Sequence, residues 1–220
     1  MSAEPREVEI GALALRGVLG IPDRARGLVI FAHGSGSGRL SPRNNYVAHA
    51  LRTTGLGTLL LDLLTPEEER LRSNVFDIPL LAERLWRATE WAAEQREAAN
   101  LPFGYFGAST GAGAALMAAA DDSRIGAVVS RGGRPDLAEN ALEHVRAPTL
   151  LIVGSRDEPV IVLNQSAQAR LKAESRLVIV PGATHLFEER GTLDEVVEHA
   201  ARWFLAHLVK QKENDANVPG

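Results

Sequence analysis

The serine within Gly-Ala-Ser-Thr-Gly at 107–111 is the side chain of this sequence best placed to do chemistry. An apolar run at 101–106 precedes it, and a run of small residues at 112–118 follows it. The first run predicts a buried strand and the second a helix, so Ser109 falls on a tight strand-to-helix turn. Such a turn strains the serine backbone and exposes its hydroxyl beside the free N–H groups of the helix N-terminus. The pattern indicates a nucleophile next to a site for an oxyanion.

Two further residues follow later predicted strands and have the chemistry of a nucleophile's partners. Asp157 comes after the apolar run 148–154, and His185 comes after the run 176–182. A histidine can take the proton from a serine hydroxyl, and a carboxylate can hold that histidine in the required tautomer. We therefore predict Ser109 as nucleophile, His185 as base and Asp157 as the acid that orients the base.

Each of these assignments has an alternative in the sequence. Ser109 could serve only as the N-cap of the helix that follows it. Glu158 stands beside Asp157, but its place before Pro159 is typical of a charge at the start of a helix. His185 could be an ordinary loop histidine. The order of the three residues along the chain, each after a predicted strand, favours the catalytic interpretation.

A glycine-rich loop, His-Gly-Ser-Gly-Ser-Gly at 33–38, allows two functions. In the first, the backbone N–H of Ser35 joins that of Thr110 to form an oxyanion hole. In the second, the glycines open a dinucleotide site, and Asp62 at the end of the next predicted strand binds the ribose. The third glycine comes one residue too early for that fingerprint, and the predicted nucleophile would have no role. A nicotinamide or flavin oxidoreductase is therefore the alternative function.

The composition limits the classes of protein to which this chain can belong. A net charge of −4 over 220 residues argues against nucleic-acid binding. The absence of cysteine excludes a thiol nucleophile, disulfides and thiolate metal sites, and the scattered histidines form no zinc pattern. We expect no metal and no organic cofactor. The sequence shows neither a signal peptide nor a run of the ~18 apolar residues that a membrane helix needs, so we expect a cytoplasmic location without membrane contact.

Apolar runs and helical patterns alternate from residue 27 onward, after two short predicted strands between 8 and 21. This alternation predicts an α/β fold, namely a doubly wound, mostly parallel sheet with helices on both faces. Because the carboxyl ends of parallel strands lie at one edge of a sheet, the predicted serine, aspartate and histidine should meet there. We predict a single domain over residues 1–210, followed by a polar tail over 211–220.

Several connecting segments carry more detailed expectations. Ser41 and Asp77 stand immediately before helical patterns that have proline in the first turn, which is typical of N-caps. Residues 65–74 form a charged connection with a solvated face. Residues 135–145 predict one helix, which leaves no room for a separate lid domain before the strand that leads to Asp157.

Three arginines lie next to predicted strand ends on the catalytic side: Arg39, Arg131 and Arg134. A guanidinium can hold a carboxylate through two parallel hydrogen bonds. If two of them converge, the pocket favours substrates with a carboxylate near the scissile bond. The alternative is that all three pair with nearby acids or helix ends. Leu186 and Phe187, close to the predicted base His185, are expected on the pocket wall.

The motifs at 107–111, 155–159 (Ser-Arg-Asp-Glu-Pro) and 181–185 (Pro-Gly-Ala-Thr-His) resemble those of the α/β-hydrolase superfamily. The resemblance extends over residues 25–208 and is strongest to the small, lidless dienelactone hydrolase-like branch. Dienelactone hydrolases proper have a cysteine where this chain has Ser109, and an acidic residue in the loop that is glycine-rich here. These departures favour a serine esterase or lactonase.

The resemblance implies hydrolysis of a small carboxylic ester or lactone through an acyl-enzyme, with this small molecule as the expected partner and the oligomeric state left open. It does not name that substrate. A binding module that kept the scaffold but lost catalysis is a further alternative. That alternative requires the predicted acid or base to point away from the serine.

Overall fold

The fold is known from a computed structural model that describes residues 4–209. The polar tail predicted at 211–220 lies outside the described residues. Eight strands are formed: β1 (Arg6–Ile10), β2 (Leu15–Gly20), β3 (Leu28–Ala32), β4 (Gly57–Leu61), β5 (Phe103–Ala108), β6 (Ile125–Arg131), β7 (Thr149–Gly154) and β8 (Ser175–Val180). Seven α-helices accompany them: α1 (Pro42–Thr53), α2 (Pro66–Glu69), α3 (Arg72–Val75), α4 (Ile78–Glu94), α5 (Thr110–Asp121), α6 (Glu158–Arg170) and α7 (Thr192–Leu208).

The strands form one sheet in the order β1-β2-β4-β3-β5-β6-β7-β8. β2 runs antiparallel to both β1 and β4, and every other neighbouring pair is parallel. All residues of β3, β4, β5 and β7 are buried, as continuous apolar runs require when both faces of a parallel sheet are covered. The predicted α/β fold with a mostly parallel sheet is confirmed.

Helices cover both faces of the sheet and close two hydrophobic cores. On one face, α4 and α5 contribute residues such as Leu85 and Leu116. On the other face, α1 and α7 contribute residues such as Leu51 and Phe204. The strands that end nearest the predicted catalytic residues are thus held between two helical layers, which fixes the positions of their carboxyl ends.

The two predicted N-caps are present. The Ser41 hydroxyl accepts a hydrogen bond from the Asn44 N–H at 3.4 Å, at the start of α1. The Asp77 carboxylate accepts one from the Leu80 N–H at 3.0 Å, at the start of α4. Each cap satisfies an N–H group that the first turn of a helix leaves without an intrahelical partner.

The connection at 65–74 contains two short helices that were not expected, α2 and α3. Thr65 and Glu68 form a reciprocal capping box, in which each side chain accepts a hydrogen bond from the other residue's backbone N–H.

The stretch predicted as one helix at 135–145 is instead a 3₁₀ segment, Pro135–His144, interrupted at Glu139 by a positive φ of 48°. No separate lid domain is inserted within residues 4–209. None of the helices described has the length and apolar character needed to span a bilayer.

A buried pair of hydroxyls between α4 and β5 gives a test of the core. The Thr89 hydroxyl donates to the Leu85 carbonyl at 3.0 Å, so the Tyr105 hydroxyl donates to Thr89 Oγ1, 2.6 Å away. In Thr89→Val the Tyr105 hydroxyl loses its acceptor inside the core, and we expect a loss of about 1–3 kcal/mol of unfolding free energy. The double variant Thr89→Val/Tyr105→Phe should recover part of this loss, because no hydroxyl is then stranded.

Equilibrium unfolding in urea measures these free energies, with Tyr105→Phe completing the double-mutant cycle. Strictly additive losses in the double variant would contradict the proposed pairing.

Candidate active site

Ser109 lies between β5 and α5 in a strained backbone conformation. Its φ is 50° and its ψ is −122°, which a residue with a side chain rarely adopts. Although Ser109 stands at the N-cap position of α5, its side chain makes no capping hydrogen bond. The ordinary N-cap interpretation therefore does not apply, and the hydroxyl stays available to the cavity that Ser109 lines.

Gly107 and Gly111, on either side of Ser109, lie so close to the neighbouring backbone that neither position has space for a side chain, so the turn requires glycine at both. A Cβ at Gly107 would lie 2.4 Å from the Cα of Ala112, and one at Gly111 would lie 2.2 Å from the carbonyl oxygen of Ala32. Real Cβ atoms do not approach so closely, so α5 can start directly against β5 and β3 only with glycine at both positions.

The segment after β6 holds the Ser109 backbone from the other side. The Ser109 N–H donates to the Arg131 carbonyl at 3.3 Å, and the Ser109 carbonyl accepts from the Arg134 N–H at 3.0 Å. These contacts continue the parallel register in which Ala108 lies opposite Arg131. The strained turn is therefore fixed by hydrogen bonds from a neighbouring strand as well as by packing.

His185 and Asp157 are joined by a hydrogen bond between His185 Nδ1 and Asp157 Oδ2, 2.6 Å apart. Asp157 occupies the N-cap position of α6, yet its carboxylate makes no capping bond, because it faces the histidine instead. Glu158 is the first residue of the helix, as its alternative interpretation proposed. The pairing leaves His185 Nε2 as the ring nitrogen free to act as a base.

The loops that carry Asp157 and His185 are packed against each other and against the end of β6. The Arg156 N–H donates to the Ala183 carbonyl at 2.9 Å. Gly132, with φ of 51°, lies so close to the histidine loop that a Cβ there would be 2.9 Å from the His185 carbonyl oxygen. Both loops are thus positioned at the same edge of the sheet as Ser109.

Ser109 and His185 line one cavity of about 930 Å³ at the carboxyl ends of the strands. Within residues 4–209, no hydrogen bond joins the Ser109 hydroxyl to His185. Such contacts are often long in structures without substrate and tighten when substrate binds. Asp157 and His185 are paired with each other, and the approach of His185 to the Ser109 hydroxyl, which a non-catalytic module would lack, stays a prediction.

The glycine-rich loop at 33–38 lies directly over the serine turn. A Cβ at Gly34 would be 3.0 Å from Ser109 Cβ, and the Ser35 N–H donates to Thr110 Oγ1 at 3.0 Å. The two residues predicted for the oxyanion hole, Ser35 and Thr110, are therefore neighbours. In this structure the Ser35 N–H is engaged by the threonine hydroxyl rather than free.

The Asp62 carboxylate is paired with Arg39. Its Oδ1 accepts from the Arg39 N–H at 2.7 Å, and its Oδ2 accepts from the Arg39 guanidinium at 2.6 Å. The dinucleotide hypothesis needs a free carboxylate at this position to bind a ribose. The contacts show instead that Asp62 fixes the end of the glycine-rich loop.

The other residues predicted to bind substrate take different positions. Arg134 forms a bidentate ion pair with Asp136, and it is not among the residues that line the cavity. Arg131 does line the cavity and is buried. Phe187 is packed in the core with only 2% of its surface exposed, and its neighbour Leu186 lies on the cavity wall instead. The expected convergence of two free arginines does not occur, because Arg39 and Arg134 each bind an aspartate.

His33 has a structural role that the sequence analysis did not predict. Its Nδ1 lies 2.9 Å from the Gly34 carbonyl oxygen, and its Nε2 accepts from the Leu63 N–H at 3.0 Å. The ring therefore ties the glycine-rich loop to the end of β4, and burial lowers the pKa of His33 below the ordinary histidine value. The sequence signal that could have revealed this structural role is the position of His33 directly after the wholly buried strand β3.

Comparisons with known proteins agree with this fold. A family described as Alpha/beta hydrolase domain matches residues 25–209. The crystal structure of a dienelactone hydrolase from Anabaena variabilis is 55% identical and has a TM-score of 0.89, over 94% of this chain and 100% of that one. Est1E from Butyrivibrio proteoclasticus, at 16% identity and a TM-score of 0.78, shares the fold over 93% of this chain and 98% of its own.

Two curated relatives are named after an activity other than hydrolysis. They are Mycobacterium tuberculosis proteins from strains CDC 1551 and H37Rv, each 60% identical over 206 residues, and both have the provisional name phosphoribosyl transferase. The match covers 93% of this chain but only 46% of each relative. The chain therefore spans about half the length of the curated relatives it matches.

The lowered pKa of His33 predicts a pH dependence of stability. When the protein unfolds, His33 regains a pKa near 6.5, so below that pH the unfolded state takes up more protons than the folded state. Acidification from pH 7 to pH 5 should therefore lower the unfolding free energy, and the decline should be smaller in His33→Gln. Urea unfolding at each pH measures both slopes, and an equal or steeper decline in the variant would refute this role.

Proposed function

The chain belongs to the α/β-hydrolase family, in its dienelactone hydrolase-like branch, and we propose that it hydrolyses a small carboxylic ester or lactone through an acyl-enzyme on Ser109. One observation carries this proposal. Ser109, in its strained turn, lines the same cavity as His185, whose Nδ1 is 2.6 Å from Asp157 Oδ2. A nucleophile, a base and an acid that orients the base are the groups that acyl transfer requires.

In the first half of the reaction, Ser109 Oγ bonds to the carbonyl carbon of the substrate. His185 Nε2 takes the serine proton, and the pair of electrons displaced from the carbonyl bond resides on the carbonyl oxygen. Asp157 stabilises the imidazolium that forms. When the intermediate collapses, the bond to the alcohol oxygen breaks and His185 donates its proton to that oxygen, which leaves the acyl group on Ser109.

In the second half, water attacks the acyl carbon while His185 Nε2 accepts a proton from it. Collapse of this second intermediate breaks the bond to Ser109 Oγ, and the histidine returns the proton to the serine. The products are a carboxylic acid and an alcohol, or one hydroxy acid from a lactone. Apart from the substrate and these three side chains, the reaction needs only water.

The negative oxygen formed in each half needs donors that are already in place. We assign this role to the N–H of Thr110, which is the first residue of α5, and to the N–H of Ser35. Because the Ser35 N–H donates to Thr110 Oγ1 at 3.0 Å before substrate binds, the substrate oxygen must take over this donor. The threonine hydroxyl thus holds the glycine-rich loop close to the place where charge develops.

The name phosphoribosyl transferase belongs to proteins more than twice as long as the part that matches here, since the match covers 46% of their length. We propose hydrolysis for this chain because the serine turn and the Asp157–His185 pair both lie within residues 25–209, the segment that matches the hydrolase family. An assay of both activities on the purified chain separates the two functions.

Ser109→Ala removes the nucleophile and should reduce turnover of a short-chain 4-nitrophenyl ester by about a thousandfold or more. A fluorophosphonate probe should add one covalent group to the wild-type protein, located at Ser109 by peptide mass analysis, and none to the variant. Undiminished turnover in a pure preparation of Ser109→Ala, or labelling elsewhere only, would disprove the proposed function.

Thr110→Val keeps the shape of the side chain but removes the hydroxyl that accepts from Ser35. We expect kcat to fall by about tenfold, because the loop loses the contact that positions its donor, while Thr110→Ser should stay near the wild type. Steady-state kinetics on the same ester measures both variants. An unchanged kcat in Thr110→Val together with a fall in Thr110→Ser would show that the methyl group, and not the hydroxyl, is what the site needs.

A further inference from the structure

Asn164 is a polar side chain in the middle of α6, and none of its surface is exposed. A side-chain amide has two N–H donors, and both are used here. Asn164 Nδ2 lies 2.8 Å from the Val160 carbonyl oxygen and 3.0 Å from that of Gly133. The first bond stays within the helix and fixes the orientation of the amide. The second bond therefore leaves α6 and reaches the chain that follows β6.

An asparagine at this position has a cost. Its Oδ1 is one of the buried side-chain atoms that have no hydrogen-bond partner within residues 4–209, together with atoms of Arg39, Arg84, Ser130 and Arg131. A buried polar atom without a partner is unfavourable, whereas an apolar side chain of similar volume leaves no such atom. The packing of the core alone thus gives no reason for an amide here. The bond to Gly133 is a contact outside the helix that no apolar residue can replace.

The segment 131–134, which receives this bond, contacts the predicted nucleophile and the predicted base. Its two ends hold the N–H and the carbonyl of Ser109, as described above. Gly132 lies against the histidine loop, since a Cβ there would be 3.6 Å from His185 Cε1. The Gly132 N–H also donates to the Ile152 carbonyl of β7 at 2.7 Å. A shift of this segment would therefore move the serine turn relative to the base.

The link through Gly133 is closely packed at both of its ends. A Cβ at Gly133 would be 1.9 Å from Ser130 Oγ and 2.6 Å from Ala112 Cβ, so the residue is held between the end of β6 and α5. At the other end, α6 starts directly after Asp157, whose carboxylate faces the predicted base. Asn164 thus joins the helix that follows the acid to the segment that holds the nucleophile.

We propose that Asn164 is a positioning residue for the reaction: its bond to Gly133 sets the distance between the serine turn and the predicted acid–base pair. The proposal rests on the hydrolase function proposed above, because this distance matters only if a proton passes from Ser109 to His185. A misplacement of about 1 Å between reacting groups can reduce a rate about a hundredfold, even when the residue responsible does not touch the substrate. Among the described residues that line the cavity, none belongs to α6, so Asn164 should affect kcat and not KM.

Asn164→Thr removes the bond to Gly133 and keeps the bond within the helix. Threonine has a similar volume, and its single hydroxyl can donate to the carbonyl four residues earlier, here that of Val160. We expect kcat on the 4-nitrophenyl ester to fall about tenfold while KM stays within about twofold of the wild type, and fluorophosphonate labelling of Ser109 to slow by a similar factor to kcat. Asn164→Asp keeps the shape of the side chain but places an oxygen against the Gly133 carbonyl, and it should show the same pattern.

Ala167→Gly is the matched control, because the low helix propensity of glycine weakens α6 while both donors of Asn164 stay in place. Its kcat should remain within about twofold of the wild type. Unchanged kcat in both Asn164 variants, an equal fall in Ala167→Gly, or a rise in KM without a fall in kcat would overturn the positioning role. Unfolding of both Asn164 variants in the assay buffer, measured by urea titration, would also overturn it, since the amide would then serve the core.

The wild-type protein in the same assays separates this proposal from the hydrolase function. An active wild type that is labelled at Ser109, together with any of the contrary results above, refutes the positioning role alone. A wild type that is neither active nor labelled refutes the hydrolase function.

Discussion

The strained turn at Ser109 is the constraint on which the rest of the site depends. A φ of 50° at a residue with a side chain is unfavourable, so the turn exists only because its surroundings hold it. Two glycines let α5 start against β5 and β3, and hydrogen bonds to Arg131 and Arg134 fix both sides of the serine peptide. The strain places the hydroxyl outside the helix, where it cannot cap α5 and can meet a substrate.

The same edge of the sheet shows how the protein distributes its charges. Arg39, Arg134 and His185 each face an aspartate, and in each case the partner fixes the orientation of the side chain. Asp62 secures the glycine-rich loop in this way, while Asp157 orients an imidazole. The contacts are similar, but the consequence differs: the paired Arg39 guanidinium becomes part of the scaffold, whereas the paired His185 ring keeps its second nitrogen without a hydrogen bond among the described residues.

The fold and the pairing of Asp157 with His185 could be predicted from the sequence because both follow from local patterns. Continuous apolar runs gave the strands, and the parallel sheet brought their carboxyl ends to one edge, so Asp157 met His185. The capping box at Thr65 and Glu68 was missed, although threonine, proline and a glutamate at the third helical position are a recognised local signal. The break at Glu139 could not be predicted, because a positive φ at glutamate reflects tertiary packing that local propensity does not encode.

The directions in which long side chains point could not be predicted either, because they also depend on tertiary packing. Arg39, Arg131 and Arg134 all follow or precede strand ends, and the sequence offers acids near each of them. Which arginine finds a partner depends on distances between strands and loops of a few ångströms, and only the folded structure sets these. Phe187 turned into the core for the same reason, since Gly132 leaves space beside the histidine loop for its ring.

An unpaired charge such as that of Arg131 has a consequence for the balance between stability and function. Replacing a buried charge by an apolar side chain of similar volume is often neutral or stabilising, so a protein selected for stability alone has no reason to keep this guanidinium. Arg131 also supplies the carbonyl that accepts from the Ser109 N–H, a role that any residue could fill through its backbone.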